Sequence, residues 1–304
     1  MSQQKNLLAQ VLQMDNLCWA WEEIAENKGI PGVDNISIAR WRRNWEERLV
    51  QLARDVRGSA YLPKPLRLRR IPKRNRSQYR VLRIPTVTDR VLQRAVLQVL
   101  QPHYERIFLE CSYGYRPWRG LKDAVQRIII LREQNFRWVL DADIDDFFNR
   151  VNHALLMKFL EDDLPDSSLN HLIARWLRAG NREMGIPMGS PLSPLLANVF
   201  LHRLDQSIQQ TGVPLVRYAD DFIVLTCSEQ AALLTYHRVG QFLKDLELSY
   251  EPAKTSITSF EQGFTFIGVR FLTDSYSYTW EDKEITVNGD EVDWLFSQYG
   301  PEYE

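Results

Sequence analysis

The spacing of hydrophobic positions predicts helices at the start of the chain, followed by a hairpin. Apolar residues recur at three- and four-residue steps over 38–56, which forms one apolar stripe at helical spacing. The glycines and proline of 29–35 predict a loop ahead of this stripe. Over 66–85, β-branched residues alternate with bases and prolines, which predicts a hairpin whose turn lies near 75–78.

From residue 88 onward, helix-like and strand-like segments follow one another. Helices are predicted over 88–99, 121–133, 151–160, 168–177, 195–208 and 231–246. Strands are predicted over 138–144, 213–217, 222–225 and 256–271, and a loop rich in glycine, proline and serine over 185–194. This order predicts an α+β fold in which helices pack on a mostly antiparallel sheet.

Two adjacent acids, Asp220 and Asp221, lie between two apolar strand-like runs. An isolated pair of aspartates in a loop most often forms an ordinary turn. Here strong β-formers on both sides would hold the two carboxylates rigidly, and a fixed carboxylate pair repels itself unless a cation lies between. Magnesium is the natural candidate because it takes hard oxygen ligands and leaves positions open for phosphates.

A two-metal site for phosphoryl transfer needs a further carboxylate from elsewhere in the chain. Asp141 and Asp143 are two residues apart on a predicted strand and therefore point to the same face. Their spacing alone does not choose between them. Asp145 and Asp146 could instead cap a helix that opens at Phe147.

The net charge of −1 conceals two segments of opposite charge. Residues 64–94 contain eleven Lys or Arg and one acid, whereas residues 272–304 contain nine acids and one base. The basic segment is interleaved with apolar residues, which indicates folded structure that attracts polyphosphate. Charge alone does not decide between nucleic acid and nucleotide.

Cysteine content and hydrophobic run lengths limit the class of protein. The three cysteines, Cys18, Cys111 and Cys227, have no spacing typical of a metal knuckle or a disulfide framework. No run approaches the roughly 20 apolar residues that span a bilayer, and the N-terminus lacks a signal-peptide pattern. We therefore expect a cytoplasmic protein without a membrane partner.

Five segments carry recognisable motifs in a fixed order: 70–93, 112–125, 138–153 (WVLDADIDDFFNRVNH), 185–205 (GIPMGSPLSPLLANVFLHRLD) and 218–221 (YADD). Together they resemble reverse transcriptases of the group II intron type, and 16–34 resembles the amino-terminal stretch of that family. In the family, the metal-binding aspartate precedes an aromatic residue by five positions. Asp143 and Phe148 match that rule, whereas Asp141 lies outside it.

The resemblance implies an RNA-directed DNA polymerase with the fingers and palm of a right-hand polymerase. Its palm would be a mostly antiparallel sheet with helices packed on one face. The implied organisation is an N-terminal helical extension (1–60), fingers (61–135), a catalytic palm (136–271) with a finger-type insertion around 165–195, and an acidic C-terminal tail (272–304). Such an enzyme extends a DNA or RNA primer on an RNA template with dNTPs and two Mg²⁺ ions, for which Mn²⁺ can substitute.

The resemblance also assigns a metal site. Asp143, Asp220 and Asp221 would hold the ions, with the backbone carbonyl of Ile144 as a further oxygen ligand. Lys254 matches a lysine that assists departure of pyrophosphate, although a solvated surface lysine is an alternative.

The remaining assignments concern the nucleotide. Lys73 and Arg80, on opposing arms of the hairpin, would grip the triphosphate, because arginine's fork suits phosphate oxygens. Phe148 would exclude a 2′-hydroxyl and so favour deoxynucleotides. Gly189 would let the backbone approach nucleotide and template closely. The alternative for Lys73 and Arg80 is that they are ordinary surface charges. The alternative for Phe148 is that it is an aromatic residue of the core.

Two positions depart from the family pattern. Met188 stands where the family usually has Gln before the glycine, and it cannot donate the same hydrogen bond. Asn149 stands where many relatives carry Asp. Neither departure removes a metal ligand.

The chain extends only 33 residues beyond Phe271, so we expect no three-helix thumb. A CRISPR adaptation integrase, or another chain that supplies a thumb, is the expected partner, and CRISPR spacer acquisition or phage defence the expected pathway. Three alternatives stay open: a non-catalytic RNA-binding scaffold, an intron-derived enzyme with a separate thumb partner, and an RNA polymerase.

Overall fold

The computed structural model describes residues 6–27, 29–72, 79–164, 166–179, 183–280 and 283–289. Its chain divides into two compact units, and each unit combines two separate stretches of sequence. The first unit comprises Met1–Ile107 and Phe148–Val199, and the second comprises Phe108–Phe147 and Phe200–Glu304. The fingers, palm and tail boundaries from the sequence stay a prediction.

The described elements follow the predicted order. The helices are α1 (Leu7–Val11), α2 (Met14–Glu26), α3 (Ile38–Arg42), α4 (Trp45–Arg57), α5 (Val87–Tyr104), α6 (Leu121–Glu133), α7 (Phe147–Arg150), α8 (His153–Asp163), α9 (Ser167–Leu177), α10 (Ser193–Gln209) and α11 (Glu229–Asp245). The strands are β1 (Arg67–Pro72), β2 (Tyr79–Ile84), β3 (Trp138–Asp143), β4 (Leu215–Tyr218), β5 (Asp221–Thr226), β6 (Ser256–Ser259), β7 (Phe264–Phe266), β8 (Val269–Phe271), β9 (Ser275–Trp280) and β10 (Lys283–Asn288). Among the helices of these described ranges, none is long and apolar enough to cross a membrane.

The first unit is mainly helical, and its hydrophobic stripes are buried as their spacing predicts. Helix α4 buries Leu49, Leu52, Ala53 and Val56, which recur at three- and four-residue steps on one face. The side chain of Thr86 accepts a hydrogen bond from the Asp89 N–H and caps α5. The amphipathic pattern therefore predicts both where the helices lie in the sequence and which face of each helix is buried.

Strands β1 and β2 form the predicted antiparallel hairpin, with Arg67 opposite Ile84. The N–H of Arg83 on β2 donates to the carbonyl of Met188 over 2.7 Å, so the 185–194 loop lies against this strand. The predicted turn at 75–78 lies outside the described residues.

The second unit contains an antiparallel sheet in the order β4-β5-β3-β6. The central strands β3 and β5 carry buried Val139, Leu140, Ile223 and Val224. Near-continuous apolar runs are typical of strands covered on both faces. This sheet and its helices confirm the predicted α+β class.

The sequence prediction for residues beyond 256 was partly wrong. A single strand was expected over 256–271, but that stretch forms β6, β7 and β8, separated by turns at Gly263 and Gly268 with φ of +77° and +79°. Strands β9 and β10, which lie in the segment that the sequence analysis treats as an acidic tail, pair with each other and complete a second sheet in the order β10-β9-β8-β7.

The β9–β10 hairpin folds because its alternate residues are apolar. Tyr276 and Tyr278 are buried in a cluster that includes Phe264 and Phe271. The buried guanidinium of Arg132 on α6 donates to the carbonyl of Gly289 over 2.9 Å, next to the end of β10. The acids in this stretch obscured its period-two pattern in the sequence.

Candidate active site

Three acidic side chains meet at one end of the central sheet. Asp143, the last residue of β3, lies directly opposite Asp221, the first residue of β5. Tyr218 pairs with Asp221, which leaves Ala219 and Asp220 as a two-residue turn. Directly opposed residues on neighbouring strands have Cβ atoms about 4.5–5.5 Å apart. The structure therefore brings together the three carboxylates that the sequence proposed as metal ligands.

The turn holds a conformation that needs support. Ala219 has φ +58°, in the left-handed region that L-residues rarely adopt. Two-residue hairpin turns require such a φ, and glycine or asparagine usually supplies it. The buried guanidinium of Arg217 donates from Nη1 to the Ala219 carbonyl over 2.9 Å. A hydrogen bond from the core thus fixes the turn that carries Asp220.

Arg217 is itself fixed by Asp205 on α10. Its Nε and Nη2 donate to the two carboxylate oxygens of Asp205 over 2.7 Å and 2.6 Å, and both side chains are buried. A bidentate guanidinium–carboxylate pair is rigid and directional. Sequence analysis missed this pair, because no spacing rule links residues on a helix and a strand.

Gly114 packs against the backbone of the turn. The backbone N–H of Arg217 donates to the carbonyl of Cys111 over 2.8 Å, and the backbone N–H of Tyr113 donates to the carbonyl of Arg217 over 2.9 Å. This pairing brings Gly114 so close that a Cβ there would lie 2.5 Å from the Ala219 nitrogen. Only glycine fits, which gives a physical reason for this glycine within the 112–125 motif.

The electrostatics of the site show that it is crowded with negative charge. Burial, followed by the charges of Asp221 and Asp143, raises the pKa of Asp220 to about 6. The same causes in the same order raise the pKa of Asp141 to about 7. Each carboxylate disfavours ionisation of the others in a poorly solvated place. A divalent cation would relieve this repulsion.

Lys254 supplies a positive charge beside Asp143. Its ammonium group donates to the Asp143 carboxylate, and the chain before it pairs with the end of β3 through a Glu251 N–H bond to the Asp143 carbonyl of 2.8 Å. Burial lowers the pKa of Lys254, but the hydrogen bond and charge of Asp143 outweigh it and raise the pKa overall. The lysine predicted from sequence thus lies at the carboxylates.

The donor set fits magnesium in its chemistry, since it consists of hard oxygens. Within residues 6–289 as far as they are described, no group of three or more His, Cys, Asp or Glu side chains is close enough together to hold a metal ion as it stands. The bridge between Ile144 and Tyr250 uses the Asp143 carbonyl and the Asp145 N–H, and leaves out the Ile144 carbonyl. The role of that carbonyl as a further oxygen ligand stays a prediction.

The residues predicted to contact the nucleotide belong to the first unit. Gly189 has φ +115°, and a Cβ there would lie 3.1 Å from the Arg83 carbonyl on β2. Arg80 is exposed on the same strand, opposite Ile71. The carbonyl of Phe148 accepts from the Ile186 N–H over 2.8 Å. The structure thus gathers Phe148, the loop of Met188 and Gly189, and the strand of Arg80, whereas Lys73 lies outside the described residues.

Residues 71–271 match the family model for reverse transcriptase, the RNA-dependent DNA polymerase. The chain belongs to the reverse transcriptase family. Protein YkfC of Escherichia coli (strain K12) is 28% identical over 323 residues, which cover 90% of this chain and 84% of that protein. The group II intron-encoded protein LtrA of Lactococcus lactis subsp. cremoris is 34% identical over 176 residues, which cover 54% of this chain and 29% of that protein. The predicted resemblance to group II intron reverse transcriptases is confirmed.

The fold of this reverse transcriptase is also found in telomerase. The telomerase structure from Candida albicans has a TM-score of 0.57 and 14% identity, over 77% of this chain and 48% of that chain. The likeness confirms the predicted polymerase fold. The match thus spans most of YkfC but about half of the telomerase chain and less than a third of LtrA.

Proposed function

We propose that this reverse transcriptase extends a primer on an RNA template with deoxynucleoside triphosphates by two-metal phosphoryl transfer. The observation that carries the proposal is the register of the central sheet, which sets Asp143 opposite Asp221 and Asp220 in the adjoining turn. Rigidly paired strands suit metal ligation, because ligands have to be held within a fraction of an ångström.

Asp143, Asp220, Asp221 and the Ile144 carbonyl would hold two Mg²⁺ ions, for which Mn²⁺ can substitute. When bound, the ions would activate the primer hydroxyl and offset the charge that develops on the transferred phosphate. The raised pKa of Asp220 supports this, because crowded carboxylates with a penalised negative charge favour a cation.

Lys254 would act on the leaving group. Its ammonium lies at the Asp143 carboxylate, where a positive charge complements the charge on departing pyrophosphate. Arg80 and Lys73 would bind the triphosphate, and Phe148 would exclude a ribose 2′-hydroxyl. Met188 and Gly189 would contact nucleotide and template through the loop that lies against β2.

Primer extension on an RNA template tests the proposal. With Mg²⁺ and dNTPs, Asp220→Ala should lower the extension rate by at least about 10²-fold, in line with the loss of a principal electrostatic contact. Asp162→Ala, which removes an exposed carboxylate on α8, is the matched control and should extend as the parent does. Absence of extension by both the parent and Asp220→Ala, with RNA binding retained, would leave the RNA-binding scaffold as the function. Equal measurable rates would contradict the role of Asp220.

Nucleotide selection gives a separate test of Phe148. Phe148→Ala should admit ribonucleotides while retaining extension with dNTPs. Unchanged selectivity would remove the gate assignment and reopen the RNA polymerase alternative.

A role in CRISPR spacer acquisition or phage defence, with a protein partner, stays a prediction from the family resemblance. Copurification with a CRISPR adaptation integrase supports this role. A monomer that extends long products by itself contradicts the need for a partner.

A further inference from the structure

The loop Gly114–Gly120 presents two aromatic side chains on a strained backbone. Tyr115 has φ +61° and Trp118 has φ +63°, in the left-handed region that is unfavourable for bulky L-residues. Tyr115 is 46% exposed and Trp118 is 98% exposed. The fold thus tolerates backbone strain and a solvated indole without gaining any packing from that indole.

Two arginines brace the loop from inside. The buried guanidinium of Arg116 donates to the carbonyls of Leu109 and Ser112 over 2.6 Å and 2.9 Å. Arg119 pairs with the Glu110 carboxylate and lies over the Tyr113 ring. Their cationic groups are therefore engaged in holding the loop, and Trp118 projects from a fixed frame.

The loop ends in the capped start of α6. The Gly120 N–H donates to the Asp123 carboxylate over 2.8 Å, which fixes the side of the loop that follows Trp118. The exposed Lys122 lies in the first turn of the helix. Both ends of the loop are anchored, so the backbone that carries Trp118 is fixed.

The loop begins at the carboxylate turn. Gly114 lies against the Ala219 backbone, so close that a Cβ on the glycine would be 2.5 Å from the Ala219 nitrogen. Trp118 follows Gly114 by four residues and is therefore within about 14 Å of it, at 3.3–3.6 Å per extended residue. All of these residues belong to the second unit. The indole is thus within a few nucleotides of the acidic residues.

We propose that Trp118 is a stacking platform for an unpaired nucleobase of the RNA template, an inference that rests on the proposed polymerase function. Base stacking on an aromatic ring is tolerant of sequence, as an enzyme that copies every base requires. The primer is base-paired behind its growing end, so the unpaired bases near the site belong to the template. Lys122, exposed in the first turn of α6 four residues after Trp118, adds a positive charge to this part of the chain, which suits nucleic acid better than an apolar protein surface.

The first test measures binding of the full chain to single-stranded RNA in EDTA, by fluorescence anisotropy. Trp118→Ala should weaken binding about tenfold, as loss of one stacked base predicts, and Trp118→Phe should stay within about threefold of the parent. Trp19→Ala removes another exposed indole, 56% exposed on α2 in the first unit, and should bind as the parent does. An unchanged affinity of Trp118→Ala for single-stranded RNA overturns the proposal and leaves a protein partner as the reason for the exposed indole.

An abasic scan sharpens the result. In primer–template complexes with one abasic template residue moved along the overhang, the parent should lose about tenfold in affinity at one position, and Trp118→Ala should show no further loss there. Equal sensitivity of the parent and Trp118→Ala at every position contradicts stacking on this residue.

Thermal unfolding separates binding from folding. Trp118→Gly should unfold at or above the temperature of the parent, because glycine adopts positive φ without strain, yet it should bind RNA as weakly as Trp118→Ala. A lower midpoint for Trp118→Gly would make Trp118 a structural residue. Because binding is measured in EDTA, loss of the abasic effect removes only the stacking proposal. Failure of the parent in primer extension removes the polymerase proposal and with it the identification of the stacked base as a template base, whereas the RNA affinities are measured independently of it.

Discussion

The β1–β2 hairpin and the β4–β5 hairpin use the same local structure for different purposes. The first is largely exposed and carries arginines along both strands. The second is largely buried and ends in two aspartates. Attraction of a polyphosphate depends on charge density and tolerates imprecise geometry, whereas metal ligation requires fixed oxygens. The comparison indicates that burial, more than strand pairing, makes a hairpin precise enough for chemistry.

Breaking the buried support of the second hairpin should have the largest effect on folding. Arg217→Met leaves the Asp205 carboxylate buried without its partner and should lower the free energy of unfolding by about 3–5 kcal/mol. Arg80→Met removes an exposed arginine from the first hairpin and should change it by less than about 0.5 kcal/mol. Chemical denaturation measures both, and similar stabilities would contradict the distinction between the hairpins.

A substitution behind the turn should disturb its position with a smaller cost in stability. Gly114→Ala places a methyl group 2.5 Å from the Ala219 nitrogen, and the backbone shift should cost about 1–3 kcal/mol. Gly120→Ala is the matched control, because a Cβ there meets nothing within 4 Å.

The kinetic signature of Gly114→Ala distinguishes positioning from general damage. The variant should lower kcat and raise the Mg²⁺ concentration needed for half-maximal rate, at a temperature where it is fully folded. Wild-type kcat and Mg²⁺ dependence in a folded Gly114→Ala would show that the contact does not position Asp220.

The smallest expected change is a gain in stability. Since burial and neighbouring carboxylates raise the pKa of Asp220 to about 6, its ionised form destabilises the fold, and this cost develops as pH rises from the ordinary aspartate range through about 6. Asp220→Asn should therefore stabilise the metal-free protein at pH 7.5 by about 1–2 kcal/mol, allowing for solvent screening, and by less at pH 4. A loss of stability at pH 7.5 would contradict the crowded-charge description.

The sequence predicted elements well where one periodicity dominated. Helix α6 begins and ends at the predicted Leu121 and Glu133, because a strong apolar stripe is bounded by glycine before it and polar residues after it. The β9–β10 hairpin was missed, since Tyr276 and Tyr278 alternate within an acidic segment whose net charge obscured the pattern. Local periodicity therefore predicts a helix or strand only where the net charge of the segment does not obscure its hydrophobic pattern.

Only part of the candidate site could be predicted, because local motifs identify residues but not the tertiary contacts between them. The motifs identify the aspartates one by one, but the register that opposes Asp143 to Asp221 is a tertiary property. The support from Arg217, Asp205 and Gly114 joins three distant stretches of chain. The left-handed Trp118 has no local signal at all, since tryptophan carries no turn preference that would predict φ +63°.

Metal-directed cleavage tests most directly whether the three aspartates form one metal site. With Fe²⁺ in place of Mg²⁺, ascorbate and peroxide generate hydroxyl radicals at the bound ion, and fragments are mapped by mass spectrometry. Cuts close to both 143 and 220, lost in Asp220→Ala and competed away by Mg²⁺, are the predicted result. Cleavage elsewhere, or cuts at these positions that persist in Asp220→Ala, would contradict the metal site.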